Sequence, residues 1–193
     1  VRGAPLIGVT SAYGIALAIN NDSSDESLKK AAISLKESRP TAVNLEWAVN
    51  QMLEHLKGYD FHNRPKAAWL YANQLAEDDI KTNKDIGKAG LPLLKQINSS
   101  PLNILTHCNA GWLATVDWGT ALAPIYAAFN SGISVHVWVD ETRPRNQGAS
   151  LTAWELSKHG VGNTVIVDNA GGHLMQHGMV DLCIVGCDRA TST

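Results

Sequence analysis

The sequence predicts an α/β protein: a helical N-terminal part followed by a parallel-sheet domain that is incomplete at its C-terminus. Three observations predict it. Residues 1–98 carry apolar side chains at helical spacing, punctuated by Pro and Gly. Ser99-Ser100-Pro101 ends that pattern. After it, short runs rich in Ile and Val alternate with stretches of helical length, which implies parallel strands joined by right-handed crossovers. The expected division is therefore 1–98 for the helical region and 99–193 for the sheet domain.

Leu6 to Ile19 is Ala- and Gly-rich and apolar almost all round, as a buried helix is, and Pro5 suits its first turn. Ser23 or Ser24 caps a second helix, Asp25 to Glu37, which Arg39-Pro40 ends. Thr41 is placed to cap a third, Ala42 to Lys57, stopped by Gly58, with Val43, Trp47, Leu53 and Leu56 on its apolar face. A fourth helix follows Pro65 through Trp69, Tyr71 and Leu75, and a fifth follows Thr82 and ends near Asn98. Strands are expected at Leu102 to Thr106, Ser134 to Val139, Thr164 to Val167 and Leu182 to Val185. The helices between them are Thr115 to Ser131, Gly148 to His159 and Gly171 to Gln176. Most of the tryptophans (Trp69, Trp112, Trp118, Trp138, Trp154) read as core residues.

Composition narrows the function. The 193 residues are 45% hydrophobic with a net charge of -2, values of an ordinary globular protein. No basic run argues for nucleic acid, and no apolar stretch of about 18 residues argues for a membrane span. Three cysteines without framework spacing suit a reducing, cytoplasmic compartment. No signal peptide is read at Val1, and the abrupt termini suggest a piece of a longer protein.

Two strand-to-loop junctions carry the chemistry. Thr106-His107-Cys108-Asn109-Ala110-Gly111 delivers a thiol, and Val185-Gly186-Cys187-Asp188-Arg189 a carboxylate. Ligands of open parallel sheets sit beyond the carboxyl ends of strands, so the two groups would face one pocket. A helix starting just after Cys108 would aim backbone N–H groups at the thiol. The plainer readings are a buried structural cysteine, and an aspartate that caps a helix or pairs with Arg189. His107 points away from Cys108 in an extended segment, so no Cys–His dyad is implied.

Arg2, Arg39 and Arg143 each stand beside Pro or Gly near an expected helix start, an arrangement suited to a phosphorylated ligand. Gln147 adds a donor and acceptor for sugar hydroxyls. His173-x3-His177 with Cys183-x3-Cys187 does not read as a metal site. Along a strand the two cysteines would lie roughly 13 Å apart, too far for one zinc. Gly160-Val161-Gly162 precedes a strand and so is no dinucleotide fingerprint.

Five motifs follow in order along the chain: Val1-Arg2-Gly3-Ala4-Pro5, Ser38-Arg39-Pro40-Thr41-Ala42-Val43-Asn44-Leu45, Thr106 to Gly111, Asp140-Glu141-Thr142-Arg143-Pro144-Arg145-Asn146-Gln147-Gly148-Ala149, and Val185 to Arg189. Together they resemble the methylthioribose-1-phosphate isomerase family of the initiation factor 2B α, β and δ superfamily. The resemblance implies a Rossmann-like second domain, a homodimer, no metal and no cofactor. It implies conversion of 5-methylthioribose 1-phosphate to the 1-phosphoketose in methionine salvage. It makes Asp188 the acid/base, Cys108 its catalytic partner, and Arg2, Gly3, Ala4, Arg39 and Gln147 the ligands of substrate and phosphate. Isomerases of 5-deoxyribose 1-phosphate or ribose 1,5-bisphosphate, and a non-catalytic regulatory subunit, are the alternatives. The family's later Asn-Lys segment has no counterpart in this chain.

Overall fold

The computed structural model describes residues 1–187 and Thr191. Asp188, the expected acid, lies outside the described residues, as does Arg189. The chain forms two compact units, Val1–Lys81 and Thr82–Thr193.

The first unit is helical. Gly3, at φ 87°, turns the chain into α1 (Ala4–Asn21) with Pro5 in the first turn. Its Ile15, Ala16 and Ile19 are fully buried, but Leu17 faces outward, so the helix is not buried all round. In α2 (Asp25–Ser38) the Ser24 hydroxyl accepts a bond from Ser27 N, satisfying one of the free first-turn donors. Helix α3 (Val43–Leu56) departs from expectation twice. Ala42, not Thr41, precedes it, with no side-chain cap. Its buried face is Leu45, Ala48, Val49, Met52 and Leu56, while Val43 and Trp47 are 60% and 51% exposed. The buried set keeps the 3–4 residue spacing of one helix face; Val43 and Trp47 fall off that stripe.

The expected fourth and fifth helices are one, α4 (Arg64–Lys95). No glycine or proline interrupts Trp69 to Ile86, so nothing breaks the hydrogen-bond ladder at Thr82. Arg64 is almost fully buried; its guanidinium pairs with Asp25 at 2.8 Å and donates to Ser23 O at 2.7 Å. Ile15, Ile19, Met52, Leu56, Ala68 and Ala72 belong to one core, each large side chain contributing about 1.5–3 kcal/mol.

The second unit holds a four-stranded parallel sheet, β1 (Leu102–Thr106), β2 (Val135–Asp140), β3 (Gly162–Ile166) and β4 (Leu182–Cys183), in the order β3-β2-β1-β4. The central strands bury Leu102, Ile104, Val137 and Val139 against Leu122, Ile125 and Tyr126. Helix α5 is only Ala123–Asn130, shorter than expected. Trp118 and Gly119 hold positive φ, and the Thr115 hydroxyl bonds to Asp117 O and Gly119 N. That local turn competes with a helix. A π-helical turn, Gly148–Thr152, leads into α6 (Ala153–His159), and α7 is Gly171–Gln176. Strand β4 stops at Cys183, two residues earlier than expected. Trp154 is half exposed, so it is not a core residue. Among the described residues, no helix is long and apolar enough to cross a membrane.

Candidate active site

The chain runs β1 to β2 to β3 across one side of the sheet, then places β4 on the other side of β1. The topology therefore reverses between β1 and β4, where ligands of open parallel sheets bind. Cys108 stands two residues beyond β1. On the other side of that switch, a Cβ at Gly186 would lie 3.2 Å from the Ala110 Cβ. The segment leading towards Asp188 thus runs beside the loop that carries Cys108.

No helix begins at Cys108, contrary to expectation. The chain crosses an irregular loop with a 3₁₀ turn at Trp112–Ala114 before reaching α5. Cys108 adopts φ 60°, which costs a non-glycine residue on the order of 1 kcal/mol and marks functional sites. Its geometry is held from two elements. Cys108 N donates to Thr142 Oγ1 at 2.8 Å, and Thr152 Oγ1 donates to Cys108 O at 2.6 Å. Asn109 Nδ2 donates to Thr152 Oγ1 at 3.1 Å.

Beneath the loop lies Glu155, from α6, with 0% of its surface exposed. It accepts from Tyr126 OH at 3.1 Å and Leu113 N at 3.1 Å, and from the Asn109 side chain. Burial pushes its carboxyl up to about 7, against the lowering effect of these hydrogen bonds. Burial, and then the nearby Glu155 charge, raises Tyr126 far above an ordinary phenol. A Cβ at Gly111 would overlap Glu155 Oε1, so a side chain there would displace the carboxylate.

A third set of groups sits at the end of β2. His107 Nδ1 is 2.9 Å from Asp140 Oδ2, so His107 is turned towards β2 and no Cys–His pair forms. Asp168 accepts from Thr142 N and Arg143 N, each at 2.7 Å. The Arg143 N–H, first among these donors, holds its carboxyl below the usual range. His107, Asp140 and Asp168 offer ligand atoms within 4.8 Å of one another, the arrangement among the described residues that could share a cation. Most of that donor set is spent internally; of its atoms among the described residues, Asp140 Oδ1 is buried without a partner, as is Asn146 Oδ1 in the adjoining loop. Thr142 and Asn146 hold φ of 65° and 55° in the loop that ends at Gln147, which is half-buried. Thr142 thus joins the Gln147 loop to Cys108. The His173 and His177 rings lie 4.1 Å apart, tilted by 39°, and Cys183 and Cys187 are exposed.

In the first unit, Arg39 follows α2 and lines a hollow of about 300 Å³ together with Val1, Ile7, Thr10, Ser11 and Leu35. The N-terminal residue Val1 and Arg39 therefore line one hollow. Arg2 and Ala4 are exposed, and Gly3 supplies the positive φ that sets Arg2 at the head of α1. That helix start has no acidic residue, leaving its N–H groups open to an anion.

Sequence reasoning missed Thr152, Glu155, Asp140 and Asp168. An acidic residue flanked by apolar neighbours in a helix, as in Ala153-Trp154-Glu155-Leu156, is a local mark of a buried carboxyl, but it does not show which groups Glu155 contacts.

Comparison with known proteins gives a consistent picture. A methylthioribose-1-phosphate isomerase of Rhodospirillum rubrum is 58% identical over all of this chain and 52% of its own length. The crystal structure of 5-methylthioribose 1-phosphate isomerase from Pyrococcus horikoshii OT3 is 40% identical, with a TM-score of 0.86, over 98% of this chain and 54% of that one. A structure titled translation initiation factor eIF-2B, subunit delta, from A. fulgidus is 44% identical, with a TM-score of 0.85, over 98% and 56%. The chain spans about half the length of the relatives it matches. A family model matches residues 1–193 from end to end, and the chain belongs to the initiation factor 2 subunit family.

Proposed function

We propose that the protein isomerises 5-methylthioribose 1-phosphate to 5-methylthioribulose 1-phosphate, a step of methionine salvage. The observation that carries this reading is identity of 56–59% to proteins named methylthioribose-1-phosphate isomerase along the whole chain. Cys108 at the strand switch supports it.

The chemistry sets what the residues must do. A sugar phosphorylated at C1 is a locked acetal and cannot open by itself to an aldehyde. An acid must act on the ring oxygen, and we assign that role to Asp188, which requires a water-poor setting to stay protonated. Hydrogen then moves from C2 to C1. Cys108 either takes the C2 proton as thiolate or stabilises charge during a direct hydride shift. Oxidation at C2 balances reduction at C1 within one molecule, so no metal or redox cofactor is assigned. Arg2, Gly3, Ala4, Arg39 and Gln147 are assigned to the substrate and its phosphate. A cytoplasmic homodimer completes the reading.

The test is turnover of 5-methylthioribose 1-phosphate, 5-deoxyribose 1-phosphate and ribose 1,5-bisphosphate, with ketose followed by NMR. The first is expected to turn over fastest, and Cys108→Ala to abolish turnover while keeping the fold. The 44% identity to a protein titled initiation factor subunit favours one rival, a subunit that binds sugar phosphate or nucleotide without chemistry. Binding without ketose formation from any of the three sugars would establish that rival.

A further inference from the structure

Thr152 and Glu155 are three residues apart and project from one face of the same helical segment. They grip the Cys108 loop at both ends. Thr152 holds Cys108 O and the Asn109 side chain. Glu155 holds Leu113 N and reaches Asn109 as well. Tyr126 braces the carboxylate from α5, and Gly111 between the two grips leaves room for it.

Such a fully buried acid is unusual, and an apolar side chain would serve packing at lower cost. The loop gives a reason for it. Leu113 N and the Asn109 side chain, both in the loop, converge on the carboxylate with Tyr126 OH from α5, and an irregular loop has no ladder of its own to satisfy Leu113 N. The π-turn at Gly148–Thr152 sits where the first grip is made; π-turns are frequent at functional sites.

We propose that Thr152 and Glu155 are positioning residues that fix the placement of the Cys108 thiol without touching substrate. This rests on the assignment of Cys108 above, and the test separates the two. Glu155→Gln keeps the shape but replaces one acceptor oxygen with a donor. Thr152→Val removes the hydroxyl, and Thr152→Ser restores it.

Iodoacetamide labelling of Cys108, quantified on its own peptide, reads placement directly, with Cys183 as internal control. E155Q and T152V are expected to raise Cys108 labelling about tenfold as the loop loosens, with Cys183 unchanged and T152S within about twofold of the parent. In turnover, kcat falls on the order of 10- to 100-fold at unchanged KM, and T152S recovers it. Should no isomerisation be detected in the parent, labelling still decides the proposal. Labelling and kcat that match the parent in both variants would overturn it, as would a T152S no better than T152V. If E155Q does not fold, the T152V and T152S pair carries the decision.

Discussion

His107 Nδ1 lies 2.9 Å from Asp140 Oδ2, joining the ends of β1 and β2 beside Cys108. Asp140 is buried, while the His107 side chain is 47% exposed. Solvent weakens a pair of this kind. A double-mutant cycle of His107→Ala and Asp140→Asn is therefore expected to return a coupling of about 1 kcal/mol. A coupling near zero in urea denaturation would show that the pair orients without stabilising.

Gly111 has no room for a side chain. Gly111→Ala should destabilise by about 2 kcal/mol or more, because the methyl displaces the Glu155 carboxylate from its donors. Adding Glu155→Ala should recover part of that loss, since the clash is removed with the carboxylate. Urea unfolding of the single and double variants checks both statements.

Glu155 makes stability depend on pH in a fixed direction. Its ordinary value is 4.5 and its folded value about 7, so between them the folded state binds the proton and the unfolded state does not. Stability then falls as pH rises through that window, by on the order of 3 kcal/mol, and levels above it. Tyr126 contacts the carboxyl from α5, and His159 of α6 packs on Tyr126 at 4.5 Å. In Glu155→Gln the fall between pH 4.5 and 7 should flatten, measured as the urea midpoint at each pH.

Asp168 behaves in the opposite sense. Its carboxyl lies below its ordinary 3.8 because of the Arg143 and Thr142 N–H groups. The stabilisation of that turn is present above 3.8 and is lost as pH falls through the lower folded value. The Thr142 and Arg143 amide resonances should therefore titrate together with a midpoint below 3.8. Asp168→Asn should abolish that titration and speed amide exchange at both positions.

Arg39 faces a hollow with mixed apolar and polar walls. If it binds the phosphate, Arg39→Ala loses a charge-assisted contact and raises KM about 10- to 100-fold. Arg39→Lys should recover part of it, because the point charge remains but the planar fork does not. Steady-state kinetics with both variants gives the comparison.

How far the sequence carried the reading differs by element. The central strands β1 and β2 were legible because buried parallel strands are short runs of Ile and Val, and β1 and α7 coincide with the expected ranges. The outward side of α3 was not, since Val43 and Trp47 are apolar yet exposed, and propensity does not record what lies opposite a helix. The join of two expected helices into α4 was missed because Thr82 resembles a cap in sequence while nothing around it breaks the ladder. Cys108 was legible by its place after a strand. The groups that hold it were not. Thr142, Thr152 and Glu155 lie 34 to 44 residues from their partners in the loop, and a contact at that distance leaves no local pattern.

Among the described residues, strand β4 pairs with β1 through two residues, Leu182 and Cys183. Beyond them, Ile184 N donates to Leu105 O at 3.0 Å and Thr106 Oγ1 to Ile184 O at 2.8 Å. The β1–β4 seam is thus the shortest stitch in the sheet among the described residues, and it lies at the topological switch. A ligand seated across that seam would act as a clasp, tightening the least-secured strand by mass action. Occupancy should then register as slowed hydrogen exchange at the Ile184 amide, even before any chemistry is observed.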